Sequence, residues 1–129
     1  MFCIKPLKPT LLILFISIVN SVFSQEITCN NPVYKFGFVT EGDTVSVSYE
    51  LKNSGDKPLV ISSYEVECGC TTMEKVYSAI EPGETYTIKV KFDTHEKYDR
   101  QDRTITLISN AKNSPTVLRF KGVVLKKKK

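Results

Sequence analysis

Residues 44–52 constrain this chain more than any other stretch. Val45, Val47, Tyr49 and Leu51 alternate there with Ser46, Ser48, Glu50 and Lys52. Successive side chains of a strand point to opposite faces, so this period of two puts four apolar groups on one side. A helix would scatter them over several faces. The alternation returns at 85–92, where Tyr86, Ile88, Val90 and Phe92 stand against Thr85, Thr87, Lys89 and Lys91. Two half-buried strands of this kind need a second apolar layer to cover them.

Weaker signals supply that layer. Residues 33–39 read as an edge strand with Phe36 and Phe38 on one side, Lys35 on the other and a bulge or close approach at Gly37. Residues 59–66 form a third strand whose apolar face changes partway, which predicts a bulge. A short strand is expected at 76–79, and two more at 102–109 and 116–125. Turn formers separate these segments: Glu41-Gly42-Asp43, the run Asn53 to Pro58, Glu81-Pro82-Gly83-Glu84 and the run Asn110 to Pro115. Gly55, Gly69, Pro82, Gly83 and Gly122 are read as the structural turn positions, with Gly69 allowing a turn other residues could not make. About seven strands with no helical period between them predict an all-β, immunoglobulin-like antiparallel β-sandwich. The chain contains no Trp, so the Cys…Trp…Cys signature of antibody domains is missing.

The N-terminus predicts export. Lys5 and Lys8 precede an apolar run ending at Phe23, and Val22-Phe23-Ser24 supplies a signal-peptidase pattern, with cleavage between Ser24 and Gln25. The run is shorter than the roughly 20 residues that span a bilayer, so no membrane span is expected after removal of this leader. Cys29 lies too late for a lipid-attachment site. The expected organisation is a signal peptide at 1–24, a linker at 25–32, the sandwich at 33–125 and a basic tail at 126–129. Localisation follows: periplasm or secreted.

Charge excludes a nucleic-acid face. The chain has 18 basic and 14 acidic residues, net +4. Two of those cations go with the leader and four are Lys126 to Lys129, so the body holds 12 against 14 and is slightly acidic. The remaining charges alternate in sign along the strands. The tail is a solvated end, with at most a weak, salt-sensitive pull toward an anionic surface.

Several motifs together resemble a known family. Pro58-Leu59-Val60-Ile61, Cys68-Gly69-Cys70-Thr71, Glu81-Pro82-Gly83-Glu84 and Ile88-Lys89-Val90-Lys91-Phe92-Asp93-Thr94 follow one another, then Ile108-Ser109-Asn110-Ala111 and Lys121-Gly122-Val123-Val124. With Phe36-Gly37 and Asn53-Ser54-Gly55 upstream, this series is similar to the bacterial domain of unknown function 1573 (DUF1573) family over nearly the whole mature chain. The resemblance implies an exported immunoglobulin-like domain akin to the ASPM, SPD-2 and Hydin modules and to sperm-protein and pilus-chaperone sandwiches. It implies no activity. Cys29 falls outside the motif series.

Chemistry concentrates at Cys68-Gly69-Cys70. Export permits disulfides, and loss of Cys3 with the leader leaves three cysteines, hence one unpaired. If strands alternate direction, Cys68, Cys70 and the loop holding His95 share one end of the sandwich, and Cys29 occupies the other. A strand of about seven residues spans roughly 23 Å, whereas a disulfide needs Cα atoms within about 7 Å. Cys29 is therefore expected not to pair with Cys68 or Cys70. Three readings of the pair stay open: two small packed hydrophobes, a Cys68–Cys70 redox pair in a small, easily reduced ring, or a copper or zinc site with His95 as third ligand. Asp93, Glu96, Asp99 and Asp102 are interleaved with Lys97, Arg100 and Arg103 and read as solvated surface, not a calcium loop. No nucleophile–base–orienter set is present. The expectation is a non-enzymatic module that binds an envelope or extracellular protein, holds no cofactor and forms a Cys29-linked dimer if Cys29 sits on a mobile N-terminus. The alternative is a thiol-redox or soft-metal (Cu/Zn) handling protein.

Overall fold

The computed structural model describes residues 24–128. The apolar leader and Lys129 fall outside the described residues, so the expected signal peptide is not described. Eight strands follow in order: β1 (Ile27–Cys29), β2 (Val33–Thr40), β3 (Thr44–Asn53), β4 (Ile61–Val66), β5 (Thr71–Met73), β6 (Thr85–Asp93), β7 (Asp99–Ser109) and β8 (Thr116–Leu125). They form two four-stranded sheets, ordered β1-β3-β6-β5 and β2-β8-β7-β4. The fold is an immunoglobulin-like sandwich. No helix among the described residues is long and apolar enough to cross a membrane.

The two strongest alternations pair with each other. β3 and β6 run antiparallel with Val47 opposite Val90, Tyr49 opposite Ile88 and Val45 opposite Phe92. A one-residue slip would turn every one of these apolar groups to water, so burial alone fixes this register. The facing layer comes from Ile105, Leu107, Leu118 and Phe120, all fully buried. Phe36, Phe92 and Phe120 meet at centroid distances of 5.2 to 6.3 Å in tilted pairs. The Tyr49 hydroxyl crosses between the sheets to donate to the Arg119 carbonyl at 2.6 Å. Burial is the main reason its phenol is pushed well above the usual tyrosine range.

The opposite end is closed by Asn53, fully buried in this apolar setting. Its Nδ2 donates to the carbonyls of Lys57 at 2.7 Å and Ile80 at 2.8 Å, and its Oδ1 accepts from the Gly55 N–H at 3.0 Å. One side chain thereby satisfies polar groups on two separate turns.

Five expectations change. Residues 25–32 are not a free linker: Ile27–Cys29 pairs with β3, and the Gln25 carbonyl accepts from the Lys112 N–H at 2.8 Å. The chain then crosses to the other sheet, so β2 lies parallel to β8, an exception to the antiparallel pattern. Phe36 and Phe38 do not share a face. The register shifts between Lys35 and Gly37, where Gly37 has φ +74°, and the extra residue reverses the phase. Phe36 points inward and Phe38 is left 74% exposed. Residues 76–79 form no strand; the short strand is β5, earlier, because Thr71 and Met73 find partners in Phe92 and Val90.

The fifth change concerns glycine. Gly122 is not a turn but lies within β8, opposite Gly37. A Cβ there would come within 2.4 Å of the Phe36 ring, so the bulged phenyl occupies the space of a side chain. Gly69 does sit in a turn, yet its φ is ordinary and nothing lies within 4 Å of where a Cβ would stand. The expected bulge in the third strand is present, as a register shift between Ile61 and Ser63.

Candidate functional site

β4 ends at Val66, and Glu67 to Cys70 turn the chain into the other sheet. The turn is pinned by backbone. The Thr71 N–H donates to the Cys68 carbonyl at 3.3 Å, and the Asp93 N–H donates to the Cys70 carbonyl at 2.9 Å. Cys68 and Cys70 are joined by a disulfide with Cα atoms 5.3 Å apart. Both are half-buried, and Cys70 packs against the core.

His95 shares this end but not this cluster. It is exposed on the loop after β6, where its N–H donates to Asp93 Oδ1 at 2.9 Å. It faces a hollow shared with Glu41, Gly42, Lys126, Lys127 and Lys128. Among the described residues no three His, Cys, Asp or Glu side chains gather as a metal site. Cys68, Cys70 and His95, one of the three open readings, share an end of the sandwich without forming such a group. Thr94, fully buried beside His95, ties the loops together by donating to the Asp43 carbonyl and accepting the Gly42 N–H at 3.0 Å.

Cys29 lies at the opposite end, as the alternation predicts. It is level with Leu51 on β3, whereas the Cys68–Cys70 turn is level with Thr44 and Asp93. Six or seven residues of strand, roughly 20 Å, separate the two positions. The mobile N-terminus on which a Cys29-linked dimer depends is not found, because strand pairing holds the residue and its half-buried side chain packs on the core. Burial raises its thiol above the ordinary value, and the charge of Glu50 adds to that against an opposing backbone hydrogen bond at Asn31. A raised pKa leaves less thiolate near neutral pH. The thiol should alkylate more slowly than free cysteine at pH 7 to 8, with the native chain and Cys29→Ser both migrating as monomers on non-reducing gels. Rapid labelling, or a reducible dimer, would contradict this placement.

One feature was not legible in the sequence. β4 is an edge strand of its sheet, and beyond the single bridge between Leu59 and Ile80 no described strand pairs along its outer side. Next to it lies a groove of about 420 Å³ lined by β4 residues Ile61 to Tyr64 and, across from them, Met73, Lys75, Val76 and Tyr77. The groove exists because β5 is only three residues long. After the Glu74 N–H bonds to Lys89, the chain leaves its sheet and runs irregularly to Ile80. Tyr77, on that segment, is 88% exposed. The disulfide closes one end of this arrangement, between β4 and β5.

The family described as protein of unknown function, DUF1573, matches residues 27–124. That span runs from the first residue of β1 to the penultimate residue of β8. The chain belongs to the DUF1573 family.

Solved structures agree on the fold of this DUF1573 domain. A protein of unknown function from Porphyromonas gingivalis W83 superposes with a TM-score of 0.68 at 18% identity, over 82% of this chain and 50% of that one. The chain thus spans half the length of that protein. The ASH/PapD-like domain of human CEP192 (PapD-like domain 7) gives 0.61 at 11% identity, over 99% of this chain and 96% of that one. The YadV chaperone gives 0.52 at 18% identity, over 80% and 53%. At such identities the likeness is one of architecture. Among curated proteins, no sequence matches.

Proposed function

We propose that this DUF1573 chain is an exported, non-enzymatic interaction module that binds another envelope or extracellular protein by adding an extended segment of it to the free edge of β4. The carrying observation is that bare edge with its groove. An unpaired edge strand presents a row of N–H and C=O groups that an incoming strand can satisfy, and adjacent hollows then select its side chains. The irregular segment opposite β4 leaves room for such a strand. Tyr64, Val76 and Tyr77 offer apolar and aromatic contact, and Lys75 favours an acidic neighbour. The leader-like N-terminus supports export, and an immunoglobulin-like architecture is one that commonly binds through edges and loops.

Site-specific photo-crosslinking tests this reading. A photoreactive residue at Tyr77 or at Ser63 should capture the same partner in the cells that make the protein, while one at Thr87, exposed on the outer face of the other sheet, should not. No adduct at either position, or an equal adduct at Thr87, would contradict it.

A second reading, a thiol–disulfide role, is supported by the partly exposed Cys68–Cys70 bond. Alkylation followed by mass spectrometry separates it from the first. Two thiols alkylated without reductant in oxidised protein would remove it. Copper or zinc binding belongs to this reading only in the reduced state, since thiolates are then available.

A further inference from the structure

The outer face of the β2-β8-β7 sheet carries a second surface, remote from the β4 edge. The bulge at Gly37 turns Phe38 outward, where it stands beside Val123, which in turn pairs with Arg100. One row further along, Leu125 lies next to Thr40, and Tyr98 immediately precedes β7, whose first residue Asp99 pairs with Val124. Phe38, Tyr98 and Leu125 are 74%, 63% and 49% exposed, so Phe38 and Leu125 present apolar groups on the outer face at this end of the sheet and Tyr98 adds an exposed aromatic ring in the segment leading into it. Such clusters mark interaction sites more often than scattered apolar residues do.

Cations frame the cluster. Lys35, Arg100 and Lys121 line a shallow hollow of about 390 Å³ that also includes Gly37, Gly122, Phe38 and one carboxylate, Asp102. Lys126, Lys127 and Lys128 follow directly after Leu125, all exposed. Of the acidic groups nearby, one is in an ion pair. Asp102 is paired with Arg119 at 3.0 Å, and the Glu41 carboxylate accepts the Lys127 backbone N–H at 3.3 Å, so Glu41 and Asp99 are the acidic charges set against the lysine run.

We propose that this face docks on an anionic phospholipid surface, with Phe38, Tyr98 and Leu125 at the headgroup boundary, Lys35, Arg100 and Lys121 around a lipid phosphate, and the lysine run alongside. Aromatic side chains favour the headgroup level, and a polybasic segment attracts anionic lipid; one such signal alone gives only weak attachment. Here both occur on one open, shallow face. Charge disfavours a second copy as the occupant, because a two-fold contact would bring Lys35, Arg100 and Lys121 against their own kind. Docking through β2 and β8 leaves β4, at the other edge of the same sheet, free for a protein partner. The inference goes beyond the proposed function and does not depend on it.

The test uses residues 24–129, which hold the complete two-sheet core, in sedimentation with vesicles of phosphatidylcholine alone or mixed with phosphatidylglycerol. Because the chain has no Trp, Phe38→Trp adds a sole reporter. Binding to the mixed vesicles only is expected, with a blue shift of that reporter, reversed by salt of about 1 M. Replacing Lys126, Lys127 and Lys128 by Gln should weaken binding about a hundredfold, and Phe38→Ser about tenfold. Circular dichroism checks that each variant is folded. Three results would overturn the proposal: no binding to anionic vesicles at low salt, binding that Phe38→Ser leaves unchanged, or a solution dimer that Phe38→Ser dissolves. The second would mean a charged run acting alone, and the third a face covered by another copy.

Discussion

Phe92→Ala should cost about 3–5 kcal/mol of folding stability, the range for truncating a fully buried aromatic residue. Phe92 is completely buried at the meeting point of the two sheets. Its ring contacts Phe36 and Phe120, and the Arg103 guanidinium sits 5.9 Å from its centroid. Truncation removes the apolar burial and leaves Phe36, Phe120 and Arg103 facing a void that paired strands cannot collapse to fill. For a domain near 100 residues, each kcal/mol lowers the melting temperature by about 4–8 °C. The midpoint should therefore fall by more than about 12 °C in a thermal melt followed by circular dichroism. Phe92→Leu, which retains most of the volume, should cost appreciably less. A Phe92→Ala midpoint within a few degrees of the native one would mean that the aromatic cluster does not join the sheets.

Asn53→Ala should cost about 2–3 kcal/mol, by loss of hydrogen bonds rather than of apolar contact. Its three side-chain hydrogen bonds join the Lys57 and Ile80 carbonyls to the Gly55 N–H. All three go at once, in a site from which water is excluded. Asn53→Asp separates this cause from lost volume. A carboxylate cannot donate to either carbonyl and would be buried as a charge, so it should be at least as destabilising at neutral pH. Those surroundings raise the folded-state pKa of the new carboxyl above its unfolded value. The neutral form is then favoured on folding, and stability relative to the native protein should recover as pH falls toward the ordinary carboxylate range. Urea unfolding at two pH values reads both effects. Equal stability of Asn53→Asp and the native protein at neutral pH would contradict the role assigned to the amide.

The strands whose apolar residues have only one place to go were legible in the sequence. In β3 every second residue is buried, and in β6 likewise apart from the half-buried Tyr86, so their faces follow from alternation. The ends of the molecule followed as well, since strand direction separates Cys29 from the Cys68–Cys70 turn. What escaped depends on contacts distant in sequence. Phe38 alternates correctly with Lys35 and Phe36 only if no residue is inserted, and the bulge that inserts one is set by Gly122 across the sheet. β1 and β5 are three residues each, too short to show a period, and exist because β3 and β6 offer them partners. Asn53 reads as a turn former, and nothing local reveals that it reaches Ile80. The groove beside β4 escaped for a related reason, because it is made by where β5 stops. The disulfide was among the open readings, since spacing alone leaves two cysteines the choice of bonding, packing or ligating a metal.

Amide hydrogen exchange along β4 in the isolated domain bears most directly on the proposed binding edge. Hydrogen bonds to β7 occupy only one side of the strand. Amides on that side should exchange slowly, as in β3, β6, β7 and β8, and amides on the outward side should exchange within the time scale of exposed loops. Uniform slow exchange across Ile61–Val66 would show that the edge is already covered in the free domain and has no strand to receive.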